Sequence, residues 1–236
     1  LLANSKNLQN SQEIVPDEPA EKYVSPSKLH SADDETALQK GNIPLNPNVP
    51  FQEINEIVDK TQKFTFENFG TIAHAYMEAA IKKLEKPEFS AKELSGLEEK
   101  TEYIKLIDRI CRQMQKTFIE SELGKTAKNS TWKKTEYEFR GTIGTKIIRG
   151  IIDLVFENPD GTYTIIDYKT NQSIQPEIYE AQLSCYKKVI AEMLQVEPEK
   201  IRCYLYYLRF GKFVEIKTEN SLKNLEKLID KVLAMQ

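Results

Sequence analysis

Two short runs decide how this chain folds: Gly150-Ile151-Ile152-Asp153-Leu154-Val155-Phe156 and Thr164-Ile165-Ile166-Asp167-Tyr168-Lys169-Thr170, joined through Asn158-Pro159-Asp160-Gly161. Both runs are rich in β-branched and aromatic residues and read as strands, and the link has the composition of a tight turn. Charges interrupt strands that are otherwise apolar. Burying a charge in a sheet costs several kcal/mol unless something compensates it. Asp167 and Lys169 are two apart, so they leave the same face of their strand. With a three- or five-residue connection Asp153 lies directly across from Asp167, whereas a four-residue connection shifts the pairing by one. Opposed residues have Cβ atoms ~4.5–5.5 Å apart, where two carboxylates repel unless a cation lies between them. Carboxylate oxygens with open positions for water and a substrate phosphate describe a hard-metal site. A lysine alongside can orient or deprotonate the attacking water and steady developing charge. The competing reading is an Asp–Lys ion pair at a sheet edge.

Outward from this hairpin, periodicity gives the remaining elements. Apolar positions recur at helical spacing from Phe66 to Leu84 and again from Leu97 to Glu122, with Gly124 as the expected stop. A first strand spans Trp132 to Gly141, and the two runs above extend to Thr145–Glu157 and Thr162–Thr170. A helix from Gln175 to Leu194 follows, then a buried strand Ile201–Leu208, a turn at Gly211, a short strand to Lys217 and a helix Ser221–Leu233. This order predicts an α/β fold, a central mixed sheet flanked by helices. Residues 1–24 are polar and aperiodic and read as a linker or extended arm, leaving 25–236 as the domain. Ser25-Pro26 offers a helix start, and prolines 44, 47 and 50 mark a loop.

Composition narrows the function. With 40% apolar and 29% charged residues the chain suits a globular fold, and no run approaches the ~20 apolar residues of a membrane span. Cys111, Cys185 and Cys203 make no metal spacing, so an iron–sulfur cluster is not expected and a reducing, cytoplasmic setting is. Net charge is −3, yet Lys125, Lys128, Lys133, Lys134, Arg140, Lys146 and Arg149 face only Glu136 and Glu138 over 125–149. That run is either a solvated face or a phosphate-tracking surface. Gly124-Lys125-Thr126 imitates the end of a P-loop without its first glycine or preceding strand, so no ATP site is expected.

Taken in order, Gly70-Thr71-Ile72-Ala73-His74, Gly150-Ile151-Ile152-Asp153, Asp167-Tyr168-Lys169-Thr170 and Gln182-Leu183-Ser184-Cys185-Tyr186 resemble the motifs of the RecB-family nucleases, within the PD-(D/E)xK superfamily. The resemblance is to the nuclease domain that ends the AddA and RecB subunits of helicase-nucleases. It implies a restriction-endonuclease-like αβββαβ core and Mg²⁺-dependent (or Mn²⁺-dependent) exodeoxyribonuclease activity in double-strand-break repair and recombination. It also implies that His74, Asp153, Asp167 and the main-chain carbonyl of Tyr168 hold the metal and that Lys169 is the catalytic lysine. Glu136 is then a further acid of the site. Gln182 and Tyr186, four apart on one helical face, support the site and the DNA strand. Thr170, Lys146 and Arg149 join them as DNA contacts. The implied partners are DNA, mainly single-stranded, helicase domains of the same parent chain and a second AddB/RecC-like subunit. A non-catalytic DNA-binding or docking module on the same fold is the alternative.

Overall fold

A computed structural model describes residues 23–29, 51–61 and 63–234. Its centre is a six-stranded sheet. Strand β1 (Tyr23–Val24) is followed by a 3-10 turn at Pro26–Lys28, then by helices α1 (Phe51–Thr61), α2 (Phe66–Lys82), α3 (Thr101–Glu120) and α4 (Glu122–Asn129). A long hairpin of β2 (Lys133–Ile143) and β3 (Lys146–Glu157) leads to β4 (Tyr163–Lys169), α5 (Glu180–Leu194), β5 (Ile201–Tyr207), β6 (Lys212–Glu215) and α6 (Glu219–Ala234). The mixed α/β architecture predicted from the periodicity is the one observed.

The sheet runs β1-β3-β4-β5-β6, with β2 on the other side of β3. The β2–β3, β3–β4 and β5–β6 pairs are antiparallel, while β4–β5 and β1–β3 are parallel. Two apolar clusters sandwich it. Helices α1 to α4 cover one face around Phe69, Ile72, Met77, Met114 and Phe118. Helices α5 and α6 cover the other around Leu183, Ile190, Leu225 and Ile229. Burying such side chains contributes on the order of 1.5–3 kcal/mol each, which makes the two faces the principal source of stability.

Three expectations change. The arm read over residues 1–24 ends in a strand: Tyr23 and Val24 pair with Ile147 and Ile148, and Val24 is fully buried. Ser25 precedes Pro26 with extended backbone but makes no side-chain cap, and the turn is 3-10; of the loop read around the prolines, over residues 41–52, residues 41–50 lie outside the described residues, and Phe51 and Gln52 open α1 instead. Gly124 does not end a helix. It sits inside α4, capped by the Ser121 hydroxyl that accepts from the Gly124 amide at 3.0 Å. A Cβ there would stand 1.9 Å from the Phe118 carbonyl oxygen, so glycine is required for close approach rather than as a stop.

Along β3 the strand changes sides. Ile148 and Ile152 belong to the cluster under α5 and α6, whereas Leu154 and Phe156 belong to the one under α2 and α3. Even-numbered residues of a regular strand share a face, so the pleat inverts between 152 and 154. On β2 the ladder pairs Thr135 with Leu154 and Tyr137 with Ile152, leaving Glu136 beside Asp153 at the inversion. Glu136 has φ of 44°, the left-handed region that costs a non-glycine residue about 1–2 kcal/mol.

Candidate active site

The inversion is where the charged side chains gather. The register from Glu157–Tyr163 through Leu154–Ile166 makes Asp153 and Asp167 the next facing positions, where the β3–β4 ladder stops. With Glu136 on β2, three acids from three adjacent strands lie in one row. Asp153 and Asp167 are 8% and 3% exposed, so their charges need compensation from the protein.

Helix α2 supplies part of it. A reciprocal cap starts the helix: the Asn68 amide donates to Thr65 Oγ1 at 3.1 Å, and the Thr65 amide donates to Asn68 Oδ1 at 3.0 Å. Gly70 brings the helix against β4, since a Cβ there would stand 3.2 Å from Thr170 Oγ1. One turn on, His74 Nδ1 lies 3.5 Å from Asp153 Oδ1. The other oxygen, Asp153 Oδ2, accepts the Tyr168 amide at 2.6 Å. Ligand atoms of His74, Glu136 and Asp153 all lie within 4.8 Å of one another.

A second set lies toward α5. Lys169 Nζ stands 2.7 Å from Asp167 Oδ2, and Gln182 Nε2 donates to Asp167 Oδ1 at 3.0 Å and to the Tyr186 hydroxyl at 2.8 Å. Lys169 Nζ donates to Gln182 Oε1 at 3.3 Å and sits 4.0 Å from the Tyr179 ring centroid. This network fixes a lysine, an acid, an amide and a phenol in one arrangement.

Electrostatics separate the sets. Burial opposes a charge on His74, but Asp153, reinforced by Glu136 and Asp167, overrides it and lifts the imidazole from 6.5 to about 9. Burial and the neighbouring Asp153 push Glu136 from 4.5 up to about 7. For Asp153 burial is outweighed by His74, the Tyr168 amide and Lys169, and its carboxyl is held below the usual range. Burial also raises Asp167, against the pull of Lys169, with Asp153 adding to the rise. Lys169 is raised because Asp167 more than offsets its burial. Around His74, then, protons occupy a site whose donors are one imidazole nitrogen and two carboxylates. Those donors suit a divalent cation, and the residues fit one.

Of the basic run, Lys125 and Lys128 line separate pockets and Lys133 donates to the Lys128 and Ser130 carbonyls; of the residues the resemblance assigns to the site, the one away from the row is Lys146. Its ammonium pairs with Asp230 of α6 at 2.9 Å and does not line the cleft. Arg149 does, with Arg140, Glu138, Ile151 and Tyr23, in a cleft of about 850 Å³ that ends on His74, Asp153, Asp167 and Lys169. Thr170 packs at Gly70, and the Tyr168 ring is buried edge-on to His74 at 5.6 Å. The close ligand triad includes Glu136 and leaves out Asp167. The sequence carries the signal for that arrangement only in the β2–β3 register. Tyr23 was legible in no local pattern.

The chain matches the family profile described as the PD-(D/E)XK nuclease superfamily over residues 51–235. No curated protein matches it. Among solved structures it is similar to SSO0001, at 16% identity and TM-score 0.35 over 73% of this chain and 89% of that one. It is also similar to VC1899 from Vibrio cholerae, at 12% identity and TM-score 0.32 over 80% of this chain and 55% of that one. Among the described residues no helix is long and apolar enough to cross a membrane.

Proposed function

The chain belongs to the PD-(D/E)XK nuclease superfamily, and from that premise we propose that it is a divalent-metal-dependent deoxyribonuclease acting mainly on single strands. The observation that carries this is the row Glu136–Asp153–Asp167 with His74 on one side and Lys169 on the other, at the floor of an open cleft. His74, Asp153 and Glu136 would hold the ion, Mg²⁺ or Mn²⁺, together with Asp167 and the main-chain carbonyl of Tyr168. When bound, the ion supplies a Lewis acid for the phosphate.

The chain's own groups do the rest. Asp167 and Gln182 fix the Lys169 ammonium, which can orient a water or donate to a phosphate oxygen as charge grows on it. Gln182 spans Asp167 and Tyr186, so the phenol sets the rotamer of the amide that sets the acid. Burial of both aspartates keeps bulk water from screening these charges. The motif resemblance further supports an exonucleolytic domain fed by helicase domains of a parent chain with an AddB/RecC-like subunit, in cytoplasmic break repair.

End-labelled single- and double-stranded DNA, with and without Mg²⁺ or Mn²⁺, tests the reading. Wild-type protein should shorten single strands only with metal, and Asp167→Ala and Lys169→Ala should each cut the rate by about a hundredfold or more. Undiminished cleavage in both variants refutes the assignment. DNA bound but uncut under every metal condition replaces it with a non-catalytic binding module.

A further inference from the structure

Strand β3 is paired on its β4-facing edge at two places only among the described residues. Residues Leu154–Glu157 face β4, and Ile147–Ile148 face the two-residue β1. Between these two pairings, among the described residues, the cleft runs beside residues 149–153 of β3, with Ser25 and Ser27 of the N-terminal turn also lining it. Gly150 permits the approach of the N-terminal turn: a Cβ would stand 3.1 Å from Pro26 Cδ and 3.0 Å from the Phe139 ring. Because Val24 is buried beside Ile148, Tyr23 takes the opposite, outward face at Ile147. Its ring is 48% exposed, with the Arg149 guanidinium 5.1 Å from its centroid.

Arg140 and Arg149 are direct cross-strand partners, which sets two guanidinium side chains next to each other on this wall. Both line the cleft. An aromatic platform beside paired guanidinium groups is the combination that holds a nucleic-acid strand, stacking its bases and tracking its phosphates. The distance fits too. Tyr23 stands at the register of Ile147, six residues from Asp153, or roughly 20 Å along an extended strand. That is about six nucleotides at the stacked rise of ~3.4 Å.

We propose that Tyr23 is a base-stacking platform, with Arg140 and Arg149 as phosphate contacts, for a single strand of DNA that runs along the cleft beside β3 to the acids. The inference rests on reading the cleft as a nucleic-acid site and adds the residues that would favour a single strand, since paired bases cannot open onto a ring.

Fluorescence anisotropy in EDTA separates binding from cleavage. The probes are fluorescein-labelled dT12 and an abasic backbone of equal length, each with the full chain. Tyr23→Ala should weaken dT12 binding roughly 5- to 150-fold and leave the abasic probe unchanged. Tyr23→Trp should bind dT12 at least as well as wild type, which also reports that β1 still pairs. Arg149→Ala should weaken both probes alike and lower the salt slope by about 0.7. Equal effects of Tyr23→Ala on both probes, or none on either, overturn the platform. If Lys169→Ala abolishes cleavage while Tyr23→Ala binds like wild type, the platform alone fails. If Tyr23→Ala selectively loses dT12 while Lys169→Ala still cleaves, the catalytic assignment alone fails.

Discussion

The two sides of the acid row solve the same problem differently. Toward α5, Asp167 is matched within the protein by Lys169 and Gln182, and Tyr186 braces the amide. Toward α2, Asp153 meets His74 and the Tyr168 amide with Glu136 beside them, and protons are held to about pH 9 on the imidazole and to about pH 7 on Glu136. The first set is complete without a ligand. The second offers one imidazole nitrogen and two carboxylates, donors that suit a divalent cation. A single strand inversion, at Glu136 and Asp153, gives both sides access to one carboxylate row.

Removing either side should therefore cost activity for different reasons. Asp153→Ala should lower cleavage by about two to three orders of magnitude and abolish the rise in Tm that Mn²⁺ gives the wild type. Lys169→Met should lower cleavage by about a hundredfold or more while keeping the Mn²⁺-induced rise. If Lys169→Met loses that rise as well, the two sides are one unit and the distinction fails. Gln182→Ala, which frees Lys169 and Tyr186 from each other, should reduce kcat about ten- to a hundredfold with little change in Mn²⁺ affinity.

Acidity provides a smaller effect. A raised His74 contributes stability that is fully present below pH 6.5 and is lost as pH climbs through about 9. The raised Glu136 acts in the same direction between 4.5 and about 7, because the folded chain again holds the proton more tightly. Metal-free protein should lose about 2 kcal/mol between pH 6.5 and 9 by urea titration, and saturating Mn²⁺ should flatten the profile. A metal-free curve that rises over this range would place His74 and Asp153 apart. Smallest of all, Glu136→Gln should stabilise the metal-free protein at pH 8 by about 1 kcal/mol, since it removes a half-buried charge beside Asp153. Destabilisation instead would show Glu136 to be a structural partner.

Much of this was legible in the residues. Composition and the Asn158–Gly161 turn foretold the β3–β4 hairpin but left two registers open, and the connection over residues 158–162 selects the one with Asp153 facing Asp167. Helical spacing placed Gln182 and Tyr186 on one face, where they do hydrogen-bond. What escaped was fixed by tertiary contact. Two residues cannot declare themselves a strand, and Tyr23–Val24 is one only because β3 offers an edge. Gly124 has the local chemistry of a stop, but the proximity of the Phe118 carbonyl decides its use. Helix α1 went unread because its amphipathic stretch follows a proline-rich segment. Glu136 adopts a positive φ that no side chain advertises, and it stands where its carboxylate, His74 and Asp153 have ligand atoms within 4.8 Å of one another.

Anomalous diffraction from crystals grown with Mn²⁺ tests the central assignment most directly. A single strong peak within coordination distance of His74, Asp153 and Glu136, lost in Asp153→Ala, is the predicted result. A peak bound elsewhere on the chain, or a fully occupied ion that ignores His74 and Asp153, would contradict it.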